Sequence, residues 1–220
     1  MPLLQASVRL TCWNRDVYEP SDDTFLLTDA LEAAVQQWPA LEPGSRPRIV
    51  LELGCGSGYV TCSLALMVRQ LGLALSLLAV DHSRAALDAT HQTLHNHQVQ
   101  GVDLIQGDLL GSLQHRSPAS LDMVIFNPPY VPTPDAEVQS RGLSSAWAGG
   151  FKGRRVIDRF MPQLSRVLRC GGQLLLVAVA ENDPQDLIAT MQATGHYTGA
   201  VVRSKQADEE TLSIVQLTKL

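Results

Sequence analysis

Apolar residues fall along this chain in two alternating rhythms. Short, nearly unbroken runs at Arg48-Ile-Val-Leu-Glu-Leu53, Leu75-Ser-Leu-Leu-Ala-Val80, Val102-Asp-Leu-Ile-Gln106, Leu121-Asp-Met-Val-Ile-Phe126 and Gln173–Val179 read as buried strands. Between them apolar positions recur at helical spacing, as in Phe25, Leu26, Ala30 and Val35, or Val60, Leu64, Met67, Val68 and Leu71. The expected elements are a first helix from about Asp22 to Gln37 with Ser21 as N-cap, and helices over about Tyr59–Leu71 and Arg84–His97. A long loop from Asn127 to Gly153 then leads to a helix over Arg154–Arg169, stopped by Cys170-Gly171-Gly172. Asp183-Pro184 opens a further helix, with Pro in its first turn. Val201, Val202 and Thr211–Leu217 predict a closing antiparallel hairpin around Ala207-Asp208. Strand–helix alternation of this kind predicts an α/β fold with a parallel, doubly wound sheet.

Composition keeps that picture and narrows the class. At 220 residues, 45% hydrophobic and 18% charged, the chain can fill one sizeable core and lies on the apolar side for a soluble protein. No apolar run reaches the ~20 residues that span a bilayer. Met1-Pro-Leu-Leu-Gln-Ala6 has neither the basic nor the long apolar region of a secretory signal, so a cytoplasmic or nuclear location and no membrane partner are expected. Cys12, Cys55, Cys62 and Cys170 lack C-x-x-C spacing, and no metal site is expected. His91 and His95 share a helix face near His97, but without a third ligand in pattern they read as a solvated face.

Candidate chemistry gathers at the carboxyl ends of the strands, where open α/β sheets bind ligands. The fourth strand ends in Asn127-Pro128-Pro129-Tyr130. Two prolines fix their own φ, donate no N–H and bar the preceding residue from helical geometry, so the carbonyls are held rigid. An Asn amide and an aromatic ring beside them suit a planar –NH2 group, held by its hydrogens with its nitrogen aimed. Alone, the tetrapeptide would read as a Pro-rich turn. The first strand runs into Glu52-Leu-Gly54-Cys-Gly56-Ser-Gly58, whose glycines permit a tight turn and close approach by a ligand. Asp81, ending the second strand, suits two ribose hydroxyls, though an acid there can also help cap the next helix. Asp108-Leu109, after the third, can accept from an adenine amino group.

Taken together, these residues resemble the HemK-type protein glutamine N5-methyltransferases, most closely their short eukaryotic and archaeal branch. The likeness is carried by Tyr18-Glu-Pro-Ser-Asp-Asp-Thr24, the glycine loop, Asp81, Asp108-Leu109, Asn127-Pro-Pro-Tyr130, Ala146-Trp147-Ala-Gly-Gly150 through Gly153, and Arg155-Val-Ile-Asp-Arg-Phe160. The resemblance implies a class I S-adenosylmethionine-dependent methyltransferase (Rossmann-like) fold, a seven-stranded sheet of order 3-2-1-4-5-7-6 with strand seven antiparallel. It implies residues 1–47 as an N-terminal arm and helix serving the cofactor and substrate site, and 48–220 as the catalytic core, within one compact domain. S-adenosyl-L-methionine would meet Tyr18, Thr24, Glu52, Gly54, Gly56, Asp81, Asp108, Leu109 and Asn127. Asn127, Pro128, Pro129 and Tyr130 would be catalytic, with Asn127, Tyr130 and Trp147 binding substrate. The implied substrate is the glutamine of the Gly-Gly-Gln tip of a class I translation termination (release) factor.

Long relatives carry an N-terminal helical domain, and only 47 residues precede the first strand here. The short branch instead uses a small zinc-binding activator subunit. Docking of that subunit on the edge strand Val102–Gln106, through Leu104 or Ile105, is the expectation. Three other readings stand beside this one: a lysine of a protein such as a histone, an adenine-N6 in DNA, and a cofactor-binding scaffold. A net charge of −5 and a pI near 5.6 argue against direct nucleic-acid binding. Lys152, Arg154, Arg155 and Arg159 form a short basic stretch, expected to start a solvated helix or to meet an acidic partner.

Overall fold

Side chains along a strand alternate between faces, and here both faces of one sheet are covered. In the computed structural model, which describes residues 1–40, 42, 44–113, 119–139, 146–207 and 210–220, seven strands form a single sheet. They are β1 (Arg48–Leu53), β2 (Leu75–Asp81), β3 (Val102–Gln106), β4 (Leu121–Phe126), β5 (Leu168–Val179), β6 (Tyr197–Ala207) and β7 (Glu210–Lys219). The order is β3-β2-β1-β4-β5-β7-β6, parallel through β5, with β7 antiparallel to both neighbours.

Val50, Met123, Ile125 and Leu175 point to one face, and Leu51, Val124, Phe126 and Leu174 to the other. The first face packs on helices α1 (Asp22–Gln36), α2 (Tyr59–Gln70) and α3 (Arg84–Asn96), through Leu27, Leu31, Leu64 and Leu94. The second packs on α4 (Arg155–Phe160), α5 (Leu164–Val167) and α6 (Pro184–Ala193), through Phe160, Leu164 and Leu187. Among the described residues no helix is long and apolar enough to cross a membrane.

Several expectations need correction. The helix over Arg154–Arg169 is broken: α4 and α5 are separated by a 3-10 turn at Met161–Gln163. Pro162 has no N–H to give an α-helical ladder, and the chain tightens around it. Cys170-Gly171-Gly172 is not a helix stop but lies inside β5, which starts at Leu168. A side chain at 172 would stand 2.8 Å from the Arg169 carbonyl and 2.9 Å from that of Leu121, so the glycine lets the strands close past a register shift. The loop 127–153 holds 3-10 turns at Asp135–Gln139 and Phe151–Gly153 and a parallel bridge from Val131 to Ala148; its residues 140–145 lie outside those described. Asp208, at the expected hairpin turn, also lies outside them, while the flanking strands are longer than expected. Ser21 precedes α1 but makes no side-chain cap.

The N-terminal arm is held by side chains of the helices beneath it. Ala6 N–H donates to Ser63 Oγ (2.9 Å), Ser7 N–H to His97 Nε2 (2.8 Å) and Cys12 N–H to Thr93 Oγ1 (2.9 Å). His97 is thus an anchor of the arm, while His91 and His95 are exposed. The arm carries residues 16–24 to the carboxyl ends of the strands.

Candidate functional site

A cavity of about 1350 Å³ opens at those strand ends, and every residue predicted for the site lines it. Its floor is the turn after β1. Gly58 has φ +78° and lies so close to α3 that a Cβ there would stand 2.7 Å from Thr90 Cα. Only glycine meets both demands. Asp81, buried at the tip of β2, accepts from Gly56 N–H (3.1 Å) and Ser83 N–H (2.9 Å), while Ser83 itself caps α3. The Asp81 carboxylate therefore locks the glycine turn and retains lone pairs for a ligand's hydroxyls. Glu52 is buried beneath the turn and accepts from the Thr61 hydroxyl. Burial pushes its pKa up to about 8, the Asp81 charge adding to the rise and the Thr61 hydrogen bond opposing it.

At the rim, Leu109 takes φ +48°, an uncommon conformation for a branched side chain and one that concentrates at functional sites. Asp108 is exposed and bound by both ends of the Arg159 guanidinium at 2.8 Å. Arg154 pairs with Asp158 and Asp186, and Arg155 with Asp135. The predicted basic stretch is thus largely spent on the protein's own carboxylates, which bolt the loop after Gly150 to the sheet's end.

Asn127-Pro-Pro-Tyr130 forms the opposite wall. Asn127 donates from Nδ2 to Asp23 Oδ2 (2.9 Å), and the Tyr130 hydroxyl donates to the same oxygen (3.1 Å). Burial raises the Tyr130 phenol's pKa, and the Asp23 and Glu210 charges add to that. Asn127 Oδ1 is buried with no hydrogen-bond partner among the described residues. A buried acceptor left so is costly unless something else supplies a donor. Behind the wall, fully buried Asn182 donates to the carbonyls of Tyr130 (2.8 Å) and Lys152 (2.8 Å) and accepts from Val179 N–H (2.8 Å). A Cβ on Gly153 would come within 1.8 Å of the Tyr130 carbonyl oxygen, so the loop passes where only glycine fits. Trp147, which lines the cavity, stands exposed, as does Phe151 in the turn that follows it.

Sequence reasoning missed Asp23, Asn182 and Glu210, the last of which also lines the cavity. Asp23 lay within the quoted acidic stretch, and the helix phase was the signal available: Asp22 turns out to Lys205 (3.0 Å), Asp23 turns in. Asn182 and Glu210 lay far along the chain with no local pattern to mark them.

A seven-stranded sheet of this order, with a glycine turn, an acid at the second strand's tip and Asn-Pro-Pro-Tyr at the fourth, defines an α/β methyltransferase. The family described as Methyltransferase small domain matches residues 30–142. The chain is 41% identical over 205 residues to Methyltransferase HEMK2 of Mus musculus, covering 93% of this chain and 91% of that protein. It is 32% identical to the eRF1 methyltransferase catalytic subunit mtq2 of Schizosaccharomyces pombe, covering 94% and 90%. The solved E. cuniculi Mtq2–Trm112 complex, responsible for methylation of the eRF1 translation termination factor, superposes with a TM-score of 0.66 at 30% identity, covering 93% and 99%. The chain belongs to the HemK-type methyltransferases, in the branch of HEMK2 and Mtq2.

Proposed function

We propose that the chain transfers the methyl group of S-adenosylmethionine to the side-chain amide N5 of the glutamine in the Gly-Gly-Gln motif of a class I release factor, as catalytic subunit of a heterodimer. The observation that carries the reading is the buried Asn127 Oδ1, which has no hydrogen-bond partner among the described residues, beside the rigid Pro128 backbone. Those two oxygens are the acceptors a planar –NH2 requires. The relatives described as eRF1 methyltransferases support the choice of substrate.

The cavity residues fit the cofactor. Asp81 would take the ribose hydroxyls, the turn Glu52–Gly56 with Tyr18 and Thr24 would receive the amino-acid end, and Asp108 with the Leu109 backbone would receive the adenine. Bound there, S-adenosylmethionine supplies an electrophilic methyl on sulfur. An amide nitrogen is a poor nucleophile because its lone pair is delocalised. Asn127 Oδ1 and the Pro128 carbonyl accept its two N–H groups and draw electron density onto it. Tyr130 and Trp147 cover the glutamine side chain. Positioning and hydrogen bonding of the nitrogen as positive charge develops are then the main catalytic terms, and the methylated nitrogen, made strongly acidic, releases one of its two protons to solvent.

The small zinc-binding partner is assigned to the sheet edge at β3. A groove beside it is lined by Leu94, His95, Val99 and Leu104. Leu104 covers the α3 side of the sheet and Ile105 the other, so the edge itself presents backbone groups suited to strand addition. The cytoplasm, with the nucleus besides, is the compartment this function calls for.

Tritium transfer from labelled cofactor to purified release factor, a histone and DNA, each with and without the partner, tests the reading. Label on the release factor that disappears when its target glutamine is changed to alanine is the expected result. Label on the histone alone would assign lysine instead, and label on DNA alone would overturn the protein substrate.

A further inference from the structure

Asp23 is 3% exposed, and its carboxylate takes four donors. Oδ1 accepts from Thr24 N–H (2.6 Å) and Thr24 Oγ1 (3.1 Å). Oδ2 accepts from Asn127 Nδ2 (2.9 Å) and the Tyr130 hydroxyl (3.1 Å). The two ends of a carboxamide are nearly equal in size, so packing does not choose which end of Asn127 faces the cavity. A carboxylate accepts and cannot donate, so it does choose. It draws the –NH2 end toward itself and leaves Oδ1, on a residue that lines the cavity, buried without a partner among the described residues.

We propose that Asp23 is the positioning residue that fixes the polarity of the Asn127 amide, and so sets the pocket to receive a hydrogen-donating nitrogen. This deepens the amide-methylation reading and rests on it for the acceptor. Asp23 does not touch the reacting nitrogen; it acts through Asn127. A donor hydrogen-bonded to a carboxylate is also polarised, which makes the far oxygen of the same amide a stronger acceptor. Tyr130, tied to the same Asp23 oxygen, is held in register with Asn127, so one buried carboxylate orients both ends of the tetrapeptide.

The geometry makes a specific demand of Asp23→Asn. The Thr24 backbone N–H can only donate, so the new amide must place its oxygen there. Its –NH2 then falls where Oδ2 was, facing the –NH2 of Asn127. Asn127 must turn over, and the pocket presents a donor where an acceptor is needed. In Asp23→Asn/Asn127→Asp the new –NH2 meets a carboxylate, whose second oxygen faces the cavity as an acceptor again.

The test uses the chain with its partner subunit where activity requires it, release factor as acceptor, and calorimetry for cofactor affinity. Asp23→Asn should lower kcat by about 100-fold or more, the scale of losing a preorganised contact, with cofactor affinity nearly unchanged. The double variant should regain at least about tenfold over Asp23→Asn, as coupled contacts do. A purely structural role for Asp23 would give no such rescue. Asp23→Asn with more than half of wild-type kcat, or a double variant no better than it, overturns the proposal. If Asp23→Asn does not fold, the wild-type protein still decides. The Asn127 side-chain –NH2 protons, assigned by their loss in Asn127→Asp, should exchange with water at least about tenfold slower than an exposed amide. Fast exchange overturns the proposal. That measurement needs no substrate, so failure of the release factor as acceptor would remove the substrate reading and leave this one standing.

Discussion

The side-chain nitrogen of Asn182 lies 2.8 Å from the carbonyl oxygen of Tyr130, joining the 3-10 turn after β5 to the tetrapeptide after β4. The same nitrogen holds Lys152, and the side-chain oxygen holds Val179 N–H. One fully buried amide thus satisfies three backbone groups from three segments. Asn182→Ala would orphan all three. The expected cost is on the order of 3 kcal/mol, a fall in Tm of roughly 6–12 °C, read by thermal denaturation. Asn182→Asp should be no milder, because a carboxylate would face two carbonyls. An unchanged Tm in both would mean the contacts carry no weight.

Glu52 gives the protein a pH dependence of definite sign. Its folded-state pKa is raised from 4.5 to about 8, so the folded chain keeps a proton that the unfolded chain releases. Stability should therefore fall as pH rises from about 4.5 to about 8, and level off outside that window as far as this group is concerned. Glu52→Gln removes the slope. Denaturant titrations at pH 5 and pH 8 should show the variant gaining on the wild type at the higher pH; parallel curves would contradict the assignment.

Asp81→Ala should weaken S-adenosylmethionine binding by roughly 10- to 150-fold, the loss of a charge-assisted hydrogen bond of about 1.5–3 kcal/mol. It also frees Gly56 N–H and Ser83 N–H. Calorimetry on folded variant reads the effect, and unaltered affinity would leave Asp81 as a brace for the turn and nothing more.

Leu104→Lys, at the sheet edge, should abolish co-purification with the proposed small partner subunit; Leu104 also packs against the cluster of Cys55, Ala79 and Leu87, so the variant's cofactor affinity is measured beside it as the control for the glycine turn. Co-expression and size-exclusion chromatography check it. A heterodimer that survives would move the docking surface elsewhere.

Much of this fold was legible because burial on both faces demands unbroken apolar strands, and β1, β2, β3 and β4 begin where their runs begin. The glycine turn, Asp81 and Asn127-Pro-Pro-Tyr130 were equally readable, since each is a local pattern at a strand end. What escaped depends on partners distant in sequence. Arg154, Arg155 and Arg159 look like a basic patch until Asp186, Asp135 and Asp108 arrive from elsewhere in the chain. Gly171-Gly172 look like a helix stop until Leu121 packs beside them. Asp23 looks like any first-turn acid until Asn127 closes on it.

Strand β7 lies between β5 and β6, so β6 joins the sheet only through a strand that follows it in the chain. Chains emerge from the ribosome N-terminus first. The glycine turn, Asp23 and Asn127 are therefore all made while β6 still has nowhere to pair, and the cavity gains Glu210 only as that last strand arrives. A nascent chain stalled before residue 210 would hold every residue assigned to chemistry and still leave an open edge on β5, marking it to quality control as unfinished.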